Sequence, residues 1–134
     1  MKSIMRKIIP LMIVPFLTSC TGTPKTIYDH TNKFFASETI TSSKIYLKCK
    51  SCNGDIAYRL DVTNEEEPKI TADITINSGS LGFKVMDNDD VELYAVLHEE
   101  SANLEIPLQQ PGQYKVILDH QSFNGSYTIK WSKK

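Results

Sequence analysis

The sequence predicts an all-β fold, an antiparallel β-sandwich or jelly roll of about eight strands. Three observations predict it. Apolar residues recur at every second position in successive runs, the period at which side chains alternate across a strand. Turn-forming pairs separate these runs, among them Asn53-Gly54, Ser78-Gly79, Pro111-Gly112 and Asn124-Gly125. No window carries the 3.6-residue apolar stripe of an amphipathic helix. Regularly spaced short strands with turn signals between them are the pattern of sandwiches and jelly rolls.

The first element is a leader, residues 1–19. Lys2, Arg6 and Lys7 give it a basic start, and Ile8–Leu17 is an apolar run broken only by Pro10 and Pro15. That run is too short for a spanning helix, which needs roughly 20 apolar residues. A basic start, a short apolar stretch and a small-residue end compose a secretory signal peptide. The end reads Leu17-Thr18-Ser19-Cys20. It resembles the lipobox of bacterial lipoproteins. The resemblance implies cleavage before Cys20 and a diacylglyceryl thioether on its sulfur, often with a further acyl chain on the new N-terminus. It also implies a cell-envelope location, lipid-anchored and facing away from the cytoplasm. Thr21, where an Asp often retains lipoproteins at the inner membrane, is compatible with the outer membrane of a diderm host.

Residues 20–37 are polar and read as a lipidated N-terminus and tether, with Tyr28, Phe34 and Phe35 available to pack on the domain edge. The domain is expected over 38–134. Its strands carry the apolar sets Ile45-Leu47-Cys49; Ile56-Tyr58-Leu60-Val62; Ile70-Ala72-Ile74-Ile76; and Leu81-Phe83-Val85. Val91-Leu93-Ala95-Leu97, Leu104-Ile106-Leu108, Tyr114-Val116-Leu118 and Tyr127-Ile129-Trp131 follow. Glu65-Glu66-Glu67-Pro68 forms a charged loop. Pro107 belongs on an edge or at a strand end, because it donates no ladder hydrogen bond.

Three segments near the C-terminus have a shared look: Asp90-Val91-Glu92-Leu93-Tyr94, Pro111-Gly112-Gln113-Tyr114-Lys115-Val116 and Gly125-Ser126-Tyr127-Thr128-Ile129. They resemble bacterial pre-peptidase C-terminal domains, which are jelly-roll accessory modules. The resemblance implies a non-catalytic binding or structural module. The residues before these segments here do not read as a peptidase, so a role other than the family's usual accessory one is expected.

Charge limits the partners. The formal net charge is −1, and from Cys20 onward 12 basic residues stand against 16 acidic ones. A mildly acidic domain without a basic stripe is a poor match for nucleic acid. Cys49-Lys50-Ser51-Cys52 is expected to form a structural disulfide in an oxidising compartment. Its sharper reading is thiol–disulfide exchange, in which catalytic pairs place the first thiol at a helix N-terminus to depress its pKa; Lys48 and Lys50 offer some positive charge here. The strand-like flanks offer no helix. Zinc needs further ligands, and His30, His98 and His120 are scattered. Asp87, Asp89 and Asp90 are a weak calcium candidate, without an EF-hand's glycine and distal glutamate.

Tyr46, Tyr94, Phe123 and Trp131 are candidates for an aromatic sugar platform, although Trp131 shares the core face of Tyr127 and Ile129. Tyr94 alternates with the apparent core set of its strand and is expected to face outward as a ligand contact. No Gly-x-Ser-x-Gly elbow, His-Glu-x-x-His pair or phosphate loop occurs, so no catalytic residue is assigned. The expectation is a membrane-anchored, non-catalytic envelope module with a protein or glycan partner. Its only attached group is the lipid on Cys20. An envelope thiol oxidoreductase using Cys49 and Cys52 and a carbohydrate-binding module are the alternatives.

Overall fold

The computed structural model describes residues 24–131. The expected signal peptide and the expected lipidation site, Cys20, lie outside the described residues. The described chain is all-β and antiparallel. β1 (Lys25–Asp29), β2 (Asn32–Phe34) and β3 (Ser37–Ile40) are short, and β4 (Lys44–Val62) and β5 (Lys69–Asp87) are long. β6 (Glu92–His98) and β7 (Ala102–Pro107) are short again, and β8 (Gly112–Trp131) is the longest. The spine of the sheet is β4-β8-β5. β1, β2 and β3 line up in turn along the free edge of β4, and β6 and β7 along that of β5.

The three long strands join runs that the sequence presents as separate strands. Asn53-Gly54, Ser78-Gly79 and Asn124-Gly125 do not reverse the chain; they bend it. The ladder slips at this level, between Cys49, Cys52 and Gly54 on β4 and between Ile76, Ser78 and Ser80 on β5. Gly54 has φ 98° and Gly79 φ 77°, so the glycines supply left-handed backbone to bulges rather than to hairpins.

Each slip also changes which side-chain parity faces inward. Along β4 the buried set passes from Ile45, Leu47 and Cys49 to Cys52, Ile56, Tyr58, Leu60 and Val62. Along β5 it passes from Ile70, Ala72 and Ile74 to Leu81, Phe83 and Val85, and along β8 from Tyr114, Val116, Leu118 and His120 to Phe123, Tyr127, Ile129 and Trp131. With no helix among the described residues, only the sheet itself can bury these faces. The bend folds it into a sandwich whose two inner faces form one core. One layer holds β3, β7 and residues 44–49, 69–76 and 125–131. The other holds β1, β6 and residues 54–62, 80–87 and 112–120. Tyr58 in the second layer donates to Glu38 Oε2 in the first at 3.3 Å.

Two expectations are corrected here. The eight apolar runs make five strands, β4 to β8, because three pairs of runs are continuous, and β1, β2 and β3 bring the sheet to the eight strands expected. The tether expected over 20–37 is already strand at Lys25. β1 and β2 satisfy the backbone groups along β4's edge, and their own polar side chains stay in water. Pro107 ends edge strand β7, where a missing donor costs nothing.

Candidate binding groove

The second layer's outer face carries a groove of about 530 Å³ that crosses its strands. Two cross-strand rows underlie it. The first runs His30, Asp55, Asp119, Gly82, Leu97; the second runs Tyr28, Ala57, Ile117, Lys84, Ala95. Gln121 extends the lining beyond Asp119.

Gly82 makes the notch in the floor. A Cβ there would stand 3.3 Å from Asp119 Cβ and 3.9 Å from a Leu97 methyl, so its absence leaves open space between an acid and an aliphatic wall. Leu97 is 53% exposed, and Ala95 and Leu93 of the same strand also face water. This inverts the expectation for β6. The strand turns Tyr94 and His98 toward the core and presents Leu93, Ala95 and Leu97 outward. Both parities of Val91–Leu97 are partly apolar, so alternation alone did not decide the face. Pairing with β5 decided it, since Tyr94 sits opposite buried Val85 and Leu97 opposite Gly82.

Tyr94 is therefore a core-edge residue. Its ring meets Phe83 edge-on with centroids 5.9 Å apart, and its hydroxyl lies 3.0 Å from His98 Nε2. Burial raises the Tyr94 pKa and lowers that of His98. The aromatic platform does not assemble: Phe123 and Trp131 are buried in the core, and Tyr46 lies on the other layer.

The groove is polar at its centre. Asp55 and Asp119 stand directly opposite each other on neighbouring strands. Like charges so placed weaken a sheet by a few tenths of a kcal/mol to about 1 kcal/mol. His30 Nδ1 lies 3.6 Å from Asp55 Oδ1, and Gln121 Nε2 donates to Asp119 Oδ2 at 3.4 Å. Burial first, then the Asp55 carboxylate that accepts its hydrogen bond, raises the Tyr28 pKa; the Asp119 charge adds to it. Tyr28, stacked on His30 with centroids 5.0 Å apart, forms one wall, and Leu97 forms the other.

The remaining candidates have structural duties. Cys49 and Cys52 form the expected disulfide, buried at the bend of β4. Strand flanks it on both sides, so no helix N-terminus faces either sulfur. Closing a four-residue loop stabilises the fold by about 2 kcal/mol on the chain-entropy account. In the calcium candidate, Asp87 Oδ1 accepts from the Asp89 and Val91 amides at 2.8 and 2.9 Å, and Asp90 pairs with Lys115. Asp87 is thus occupied in capping the turn. Among the described residues no three His, Cys, Asp or Glu side chains cluster as metal ligands.

No protein-family model and no curated protein matches the chain. Solved structures do. The family 61 carbohydrate-binding module TmCBM61, in complex with beta-1,4-galactotriose, is similar with TM-score 0.43 and 11% identity. The match covers 78% of this chain and 69% of that one. A family 29 carbohydrate-binding module mutant complexed with cellulohexaose gives TM-score 0.41 at 9% identity, covering 82% and 77%. The module CBM6cm-2 from Cellvibrio mixtus lichenase 5A, with cellotriose, gives 0.40 at 10% identity, covering 81% and 96%. These likenesses are loose.

Sequence reasoning missed the groove because five strands supply it. One signal was present: Gly82 interrupts the apolar run Leu81-Phe83 without sitting in a turn.

Proposed function

We propose that this protein is a lipid-anchored, non-catalytic envelope module that binds a neutral glycan in the groove of its second layer. The observation that carries the reading is the facing pair Asp55 and Asp119 beside the Gly82 notch. Two carboxylates placed against fold stability are explained by a ligand that uses them. They accept hydrogen bonds from hydroxyl groups. Gln121 both donates and accepts, and Ile117, Ala95 and Leu97 offer an apolar surface to the C–H face of a sugar ring. The acid excess disfavours an anionic ligand. The Asp55 side chain is 42% exposed and so is open to a ligand arriving from solvent. The anchor reading rests on Leu17-Thr18-Ser19-Cys20, and intact-mass analysis of the native protein tests it separately.

Binding is tested by calorimetry against neutral oligosaccharides selected on a glycan array. Asp119→Ala is expected to weaken binding about ten- to a hundredfold, the worth of a charge-assisted hydrogen bond. Gly82→Leu, which fills the notch, is expected to abolish it. Tyr46→Ala, on the other layer, leaves it unchanged. If no neutral glycan binds the wild type, or if Asp119→Ala binds equally well, the reading fails.

A further inference from the structure

The sheet edge made by β1 and β2 carries the most exposed aromatic residues of the described chain. Phe34 is 62% exposed and Phe35 72%. Their rings pack edge to face, 4.5 Å apart. Phe35 has φ 52°, a conformation disfavoured for a bulky side chain. On the same edge Ile27 is also exposed; it is the extra residue of the β1 bulge, between Thr26 and Tyr28.

Charge surrounds this apolar line unevenly. Lys50 Nζ sits 5.7 Å from the Phe35 ring centroid, and Lys48 lines the hollow beside that ring. Lys25 opens β1. The edge's acids are engaged: Lys33 pairs with Asp29 at 3.4 Å and with Glu38 at 3.5 Å. With Lys25, Lys48 and Lys50 added, four lysines stand against these two acids, an excess of two positive charges. The opposite edge also exposes apolar residues on β6, but Glu92, Glu99 and Glu100 accompany them.

Position makes the same choice. Cys20 and Pro24 are only four positions apart, so the chain between their Cα atoms reaches at most about 14 Å. Lys25 pairs with Arg59 and Phe34 with Ser51 on the same strand, so the edge runs about 26 Å from the first described residues to the phenylalanines.

We propose that the β1–β2 edge is a bilayer-contact surface, with Phe34 and Phe35 seated among anionic headgroups and Lys25, Lys48 and Lys50 against their phosphates. Aromatic side chains settle at the lipid–water interface, and lysines near an anionic leaflet add attraction. A lipid anchor at one end and the aromatic pair at the other would lay the domain on its edge. The groove, which crosses the strands, would then rise away from the membrane. This orientation rests on the anchor reading; the lipid affinity of the edge does not.

The test uses the full gene product recovered from membranes, reconstituted in vesicles containing 30% phosphatidylglycerol. Intact mass first reports whether Cys20 is lipidated. Phe35→Trp is compared with Leu97→Trp on the far wall, using brominated lipids as quenchers. The fluorophore at position 35 is expected to be blue-shifted and quenched several-fold more; equal quenching overturns the proposal. If Cys20 carries no lipid, the anchor reading falls and the same protein is added to vesicles from outside. Phe34→Ser with Phe35→Ser is then expected to weaken partitioning at least tenfold, as is raised salt. Absent binding, or binding indifferent to both changes, overturns the edge proposal.

Discussion

At the scale of single residues, the buried pair His120 and Tyr127 shows how one proton is committed by geometry. His120 is 1% exposed. Its Nδ1 lies 2.9 Å from the Gly54 carbonyl oxygen, which only accepts, so Nδ1 carries the hydrogen. Nε2 is then free to accept from the Tyr127 hydroxyl at 3.0 Å. Burial, as the main cause, lowers the His120 pKa, and the Gly54 bond opposes it. Burial also raises the Tyr127 pKa well above its usual value. A histidine held neutral in the fold binds its proton more readily when unfolded. Its contribution is fully present above the unfolded pKa of about 6.5 and declines as pH falls from there through the lower folded pKa. Urea titrations from pH 7.5 to 5 are expected to show that decline, and Tyr127→Phe is expected to destabilise the protein by about 1–3 kcal/mol through a bare Nε2. A pH slope equal in wild type and His120→Gln would contradict the assignment.

At the scale of elements, the bends are the decisive feature. An added Cβ at Gly125 would stand 2.0 Å from the Thr75 carbonyl oxygen, one at Gly54 2.1 Å from the His30 oxygen, and one at Gly79 2.0 Å from the Ser122 oxygen. All three obstacles are backbone, which cannot swing aside as a side chain does. Gly125 has no positive φ in its favour, so its requirement is one of space alone. Gly125→Ala is therefore expected to cost about 3 kcal/mol or more, measured by denaturant midpoint, whereas Gly112→Ala meets no neighbouring atom and is strained only by its φ of 154°. A Gly125→Ala protein as stable as wild type would show that the bend does not depend on this close approach.

At the scale of the whole molecule, the two layers share their three central strands. Neither layer can lose its ladder without opening strands that run on into the other, and the inner faces bury each other. The sandwich should unfold as one unit. Amide exchange at Leu60 in one layer and Ile129 in the other is expected to report the same opening free energy, and Trp131 emission should follow far-UV ellipticity through the urea transition. A second-layer amide opening at clearly lower free energy would show that the layers are separable. The pairings are also distant in sequence, such as Lys44 with Lys130, which places folding in the slow, millisecond-to-second range of non-local β proteins.

The amino-acid sequence by itself determined the all-β class, nearly every residue of the core and the closure of Cys49 on Cys52. All of these depend on local spacing: period-two burial, a pair of cysteines three residues apart, and glycines placed between apolar runs. The tertiary structure alone decided whether a glycine pair reverses a strand or bends it, and which parity of β6 faces the core. Those outcomes depend on what covers each segment. Asn53-Gly54 allows either a hairpin or a bulge until β8 pairs with β4 on both sides of it, and Leu97 faces water because Tyr94 is the side chain that closes over Phe83. The groove belongs to the same class. Asp55 and Asp119 read as separate outward positions on two strands until the β4–β8 register sets them opposite each other.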